Sequence, residues 1–86
     1  MRGELVIVRT YGDRPEIRRI WDMDENAIYI TNDAHFKLLT DGREGLFIGF
    51  PRQDIFKYDQ VLAASMENLC KKKKWRWNKL TPYGEI

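Results

Sequence analysis

The residues of this chain that could do chemistry gather near its end, in the run KKKKWRWNK at 71–79. Binding a nucleic acid takes cations for phosphates and flat side chains for bases. Lys71, Lys72, Lys73, Lys74, Arg76 and Lys79 supply the first, and Trp75 and Trp77 the second. The competing reading is a helix end with solvated lysines, followed by two tryptophans packed onto the rest of the domain. It takes precedence, because charge runs on small domains are usually solvated. An anionic membrane surface fits less well, since the cations do not lie opposite a wide apolar face.

A second constellation, Tyr11, Arg18, Arg19, Trp21 and Tyr29, could form an aromatic–arginine patch of the kind enriched at protein interfaces. The same residues could serve as core with a salt-bridged rim, and that reading leads. Arg9, Arg18 and Arg19 together need a partner, either internal carboxylates or an external anion. His35 has Asp33 two residues before it, a conceivable metal pair or acid–base dyad, but one His and one Asp complete neither site. No nucleophile–histidine–acid set, phosphate-cradling glycine loop or spaced carboxylate pair is present. The sequence therefore predicts no catalytic residue, no metal and no cofactor. The expected function is a small non-catalytic interaction module that binds a protein partner or its own copy, with nucleic-acid binding through 71–79 as the alternative.

The elements that must position these residues fit in one domain of 86 residues. A chain of that size buries only about 60% of its unfolded surface and is marginal alone, so self-association would stabilise it. Apolar residues at 43% suffice for one core, and charged residues at 33% spread through the chain argue against disorder. The single cysteine, Cys70, excludes an internal disulfide and is expected to be a buried or half-buried hydrophobe. Without a leader-like or membrane-length apolar run, the cytoplasm is the expected compartment and no membrane partner is expected. Residues 1–70 carry nine Lys/Arg against twelve Asp/Glu, and residues 71–86 carry six against one. Only the basic end could favour a polyanion.

Taken in order, the apolar run at 4–11 predicts a strand covered on both faces. Residues 12–15 are turn chemistry, and 16–23 a second strand. A hairpin there would bring Arg9 near Arg18 and Ile7 near Ile20. A third strand at 27–31 would set Trp21 beside Tyr29, an aromatic pair that fixes register. The run HFKLL at 35–39 suits a fourth strand or one helical turn, with strand preferred. Asp41-Gly42 marks a hairpin leading into 46–50, where Leu46, Phe47, Ile48 and Phe50 read as a buried strand that Pro51 ends. A tight turn follows at 54–58. Asp59 is then a good N-cap for a helix at 59–72, with Leu62, Met66 and Leu69 on one face. Residues 75–80 alternate like a strand but could continue the helix.

Five short strands and a terminal helix predict an α+β, mostly-β single domain: a five-stranded antiparallel meander over 4–50, a turn at 51–58, the helix, and a basic-aromatic segment at 73–86. The segment GLFIGFPRQDIF at 45–56 resembles the end of SH3-like barrels, in which a strand and a Pro-containing turn precede a short helical turn. The resemblance spans roughly 4–58. It implies a fold family and no ligand; that the meander curls into a small barrel with the helix closing one side follows from the pattern of strands and helix. The chain departs from peptide-binding SH3 domains in lacking their paired-tyrosine motif and acidic loop, and in adding the helix.

Overall fold

Three consecutive valines and isoleucines cannot all face one way in a strand, and Val6, Ile7 and Val8 divide between two cores. In the computed structural model, which describes residues 1–84, they lie in β1 (Leu5–Thr10). The chain continues through β2 (Arg14–Met23), β3 (Ala27–Thr31), α1 (Asp33–Thr40), β4 (Ile48–Pro51), β5 (Ile55–Lys57) and α2 (Gln60–Lys71). The strands form one antiparallel sheet in the order β4-β3-β2-β1-β5, curled into a half-barrel rather than a closed one.

Val6 and Val8 point to the concave side, where Ile20, Ile28, Ile30 and Ile55 complete a buried cluster flanked by Met23, Phe50 and Tyr83. Ile7 points to the convex side with Phe56 and Leu80, against Ile17, Leu62, Ala63, Trp75 and Trp77. The expectation that one face of β1 meets the barrel interior and the other the terminal helix agrees with this arrangement. Each fully buried Val or Ile contributes about 1.5–3 kcal/mol, so β1 is the energetic spine of the sheet.

Several local expectations are corrected. Residues 35–39 are not a strand but belong to α1, because Asn32 caps a helix there: its Oδ1 accepts the His35 N–H at 2.8 Å. The fifth strand is instead Ile55–Lys57, in the stretch read as a turn, with Ile55 and Phe56 buried. The β1–β2 turn closes tightly over Tyr11–Asp13, with Gly12 at φ 75° and Asp13 at φ 60°. As a result Ile7 faces Ile17, Val6 faces Arg18 and Arg9 faces Pro15, not the pairs the hairpin reading gave. A bulge between Ile20 and Asp22 makes Trp21 the extra residue, so Asp22 sits opposite Tyr29.

α2 forms where the helical period predicted, with Asp59 Oδ1 accepting the Leu62 N–H at 2.9 Å. Beyond it the chain returns to β5. Lys57 N–H donates to the Thr81 carbonyl at 2.8 Å, Tyr83 N–H donates to the Ile55 carbonyl at 2.9 Å, and Phe56 bridges Pro82. Residues 81–83 thus cover the outer edge of β5. The Tyr83 hydroxyl donates to Glu4 Oε1 at 2.8 Å and accepts from the Met1 ammonium at 2.8 Å. Burial and the Glu4 hydrogen bond push the phenol up to about 12, and the same bond lowers the Glu4 carboxyl. The end of the segment read as 73–86, residues 85–86, lies outside the described residues.

Candidate interaction surfaces

The basic-aromatic run separates into two parts with different surroundings. α2 ends with the Lys72, Lys73 and Lys74 amides donating back to the carbonyls of Asn68, Cys70 and Leu69, at 3.1, 3.0 and 2.8 Å. This is the closing pattern that usually recruits glycine, yet the left-handed position is Lys73, at φ 56°. Lys71, Lys72, Lys73, Lys74, Arg76 and Lys79 are all exposed, and among the described residues only Lys71 has a carboxylate partner, Glu67 at 3.7 Å. The tryptophans are half-buried. Trp77 packs on Phe56 with ring centroids 5.0 Å apart, Trp75 meets Trp77 edge-on at 5.4 Å, and the Arg9 guanidinium covers the Trp77 ring at 5.3 Å. The rings thus sit in the convex core while the cations reach solvent.

The five residues read as an aromatic–arginine patch are not brought together. Tyr11 stands at the β1–β2 turn, 97% exposed. Arg18 and Arg19 are adjacent in β2 and point to opposite faces. Arg18 pairs with Glu16 at 3.1 Å, while Arg19 pairs with Asp33 at 2.6 Å and donates to the Gly3 carbonyl at 2.8 Å. Trp21 is held between the Arg2 guanidinium at 4.3 Å and the edge-on ring of Phe36 at 5.9 Å. The Tyr29 hydroxyl donates to Asp24 Oδ2 at 2.8 Å, which raises the phenol, while the Asn26 amide and then that hydroxyl lower the Asp24 carboxyl. Arg9 reaches Asp54 at 3.1 Å, so all three arginines in question have internal carboxylates.

Asp33 is engaged with Arg19, and His35 turns elsewhere: its Nδ1 accepts the Leu46 N–H at 3.0 Å. No group of three metal-ligating side chains occurs among the described residues. Cys70 is exposed, against expectation, because it opens onto the hollow between α2 and the β1–β2 turn rather than packing on the sheet. This hollow of about 710 Å³ runs between the β1–β2 turn and α2 over Met66, Trp75 and Trp77. Its charges are mixed, Arg14 and Lys73 against Asp13 and Glu67.

The feature that sequence reasoning missed is the approach to β4. The run Leu46–Phe47–Ile48, read as buried, is 75%, 49% and 60% exposed. Continuous apolarity suggested cover on both sides, but β4 is an edge strand, and among the described residues nothing pairs with its outer side. Gly49 and Pro51 within four residues were the available signal, since both mark edges. The segment is nonetheless held firmly. The Leu46 N–H goes to His35, and its carbonyl accepts the hydroxyl of buried Thr31 at 2.6 Å. Gly45 lies close against α1, and Tyr29 lies over Gly49 with its ring edge toward Phe47. The backbone is fixed while the Leu46 side chain stands in solvent.

Fold and surfaces together define a class: a small mostly-β domain on a curled, five-stranded antiparallel sheet with two helices, compatible with an SH3-like barrel. No family model, curated protein or solved structure matches the chain. Among the described residues no helix is long and apolar enough to cross a membrane.

Proposed function

We propose that the protein is a small non-catalytic interaction module that receives a partner strand at the free edge of β4. The observation that carries this reading is the exposure of Leu46, Phe47 and Ile48 on an uncovered edge whose backbone is pinned by His35 and Thr31. Exposed edges with apolar side chains are usually blunted by lysines or cover, and among the described residues Leu46, Phe47 and Ile48 have neither. Adding a strand would satisfy outward amides and carbonyls and remove the three side chains from water. That is worth about 3–6 kcal/mol before ordering costs. Strand addition of this kind needs only an extended partner with apolar residues at alternate positions.

Nucleic-acid binding is the second reading, supported by the exposed lysines at 72–74 and weakened by the packing of Trp75 and Trp77. One comparison separates the two. Peptides selected from a random library, and a mixed-sequence oligonucleotide, are titrated against the parent, Phe47→Lys, and the 71–74 Lys→Gln variant. Edge binding predicts that peptide affinity or self-association falls only in Phe47→Lys. Oligonucleotide binding that weakens steeply with salt and vanishes only in the Lys→Gln variant would overturn it, because up to about six cations would release counterions.

A further inference from the structure

The ladder between β3 and β4 runs from Ala27 opposite Pro51 to Ile30 opposite Ile48, and Leu46 lies beyond it. Two side chains hold the Leu46 backbone instead. Thr31 Oγ1 donates to its carbonyl at 2.6 Å, and His35 Nδ1 accepts its N–H at 3.0 Å. The two contacts differ in kind. A hydroxyl keeps its proton at any ordinary pH. An imidazole nitrogen accepts only while it carries no proton, so this contact requires the neutral ring with its proton on Nε2. Once Nδ1 is protonated, two N–H groups face each other across the same 3.0 Å, and attraction becomes repulsion.

From this geometry we infer that His35 is an acid-released latch on the loop before β4. The neutral ring fastens the Leu46 amide; the protonated ring releases it, and the loop at 44–47 loosens from α1. The charges around the ring come from three elements. Glu44 of the loop lines a hollow beside it, with Leu39, Gly45 and Leu46. Arg18 of β2 lines another, with Thr31 and Asn32, and is paired with Glu16 at 3.1 Å. Asp33 of α1 is engaged by Arg19 at 2.6 Å. Glu44 has no cationic partner among the described residues and offers an imidazolium a contact other than Leu46. The two protonation states therefore favour different partners, which is what a switch requires. Release is confined to one side of Leu46. Freeing its carbonyl as well would strand the hydroxyl of Thr31, a residue only 4% exposed, so that bond holds and the chain turns about it. The helix also stays, because its N-cap is the Asn32 amide, which does not titrate. The latch needs no partner at the β4 edge and is independent of the reading above.

The test is NMR of the full chain from about pH 8 to about pH 5, the range in which imidazole ordinarily titrates. Imidazole ¹⁵N shifts report the ring. Amide shifts and hydrogen exchange, corrected for the intrinsic effect of pH on exchange, report the loop. The expected result is a ring unprotonated at Nδ1 at the alkaline end, and a Leu46 amide whose shift moves with the ring's own midpoint. Protection of that amide should fall about twofold to tenfold at the acid end, the loss of one hydrogen bond. The His35 amide, held by Asn32 Oδ1 at 2.8 Å, should stay protected throughout, which separates release from unfolding. His35→Asn keeps an acceptor that cannot titrate and should leave Leu46 protected at both ends of the range. His35→Phe should leave it unprotected at both. Glu44→Gln, whose amide still accepts, should preserve the pH dependence, because the ring drives it. A Leu46 amide indifferent to the ring's titration overturns the latch, whatever the variants do. So does a ring protonated on Nδ1 at the alkaline end, or a pH dependence that survives His35→Asn or disappears in Glu44→Gln.

Discussion

Gly45→Ala tests whether the loop before β4 is seated by packing against α1. The φ of Gly45 lies outside the left-handed region, so alanine meets no backbone objection there; the obstacle is space. A Cβ at 45 would lie 2.9 Å from the His35 carbonyl oxygen and 2.9 Å from Leu39 Cγ. Leu39 can rotate, but the carbonyl belongs to the backbone of α1 and cannot. The loop must retreat by several tenths of an ångström, which costs about 1–3 kcal/mol as overpacking does elsewhere. In a domain of this size that lowers the melting temperature by about 5–20 °C. The retreat also stretches the 3.0 Å bond from the Leu46 N–H to His35 Nδ1. Circular dichroism melts give the first effect, and ¹⁵N spectra of the imidazole give the second. Gly42→Ala is the control: that glycine has φ 77° with nothing within 4 Å, so alanine there costs about 1 kcal/mol of backbone strain and leaves His35 unchanged. A Gly45→Ala protein that melts within a degree of the parent, with an unaltered imidazole spectrum, would refute the packing argument.

Two further outcomes follow from backbone and titration. Lys73→Gly relieves a left-handed residue worth about 1–2 kcal/mol and adds about 0.5–1 kcal/mol of unfolded-chain entropy, so the net gain is about 0.5–1 kcal/mol. Urea unfolding should show that gain for Lys73→Gly and none for Lys73→Ala; equal midpoints for the two variants would contradict it. Tyr83 holds its proton up to about 12 when folded, against about 10 in an unfolded chain. Its contribution is therefore complete below pH 10 and lost as pH rises through 12, on the order of 2 kcal/mol. The difference in urea midpoint between the parent and Tyr83→Phe should shrink across that window, and a constant difference would exclude the linkage. Glu4, its partner, has the opposite sign: its lowered carboxyl contributes above the ordinary range and loses that contribution on acidification.

The parts of this fold legible in the sequence are those whose signal is local. The valine–isoleucine run of β1, the period of α2 and its Asp59 cap depend on neighbours a few residues away. What escaped depends on what lies opposite. HFKLL is too short for period to separate helix from strand, and the deciding group was the Asn32 side chain just before it. LFIGF reads as core because apolarity is intrinsic to residues, whereas burial is a property of the sheet order that leaves β4 at an edge. The register of β2 turned on a left-handed Asp13 and on the extra residue Trp21, neither of which has a compositional mark. Both alternatives for 71–79 survive in part: lysines in solvent as either reading required, and rings packed on Phe56 and under Arg9, contacts made across long stretches of chain.

The strap at 81–83 that covers β5 sets the stoichiometry of anything built by edge pairing. A sheet with two open margins can be extended without limit, each unit offering the next a template, and that is how fibres grow. Here one margin is covered by residues 81–83, which leaves β4 as the margin open to pairing among the described residues. A strand added at β4 would therefore extend the sheet at one margin and leave the other as it is. Sticky side chains at one margin are therefore compatible with a particle of finite size.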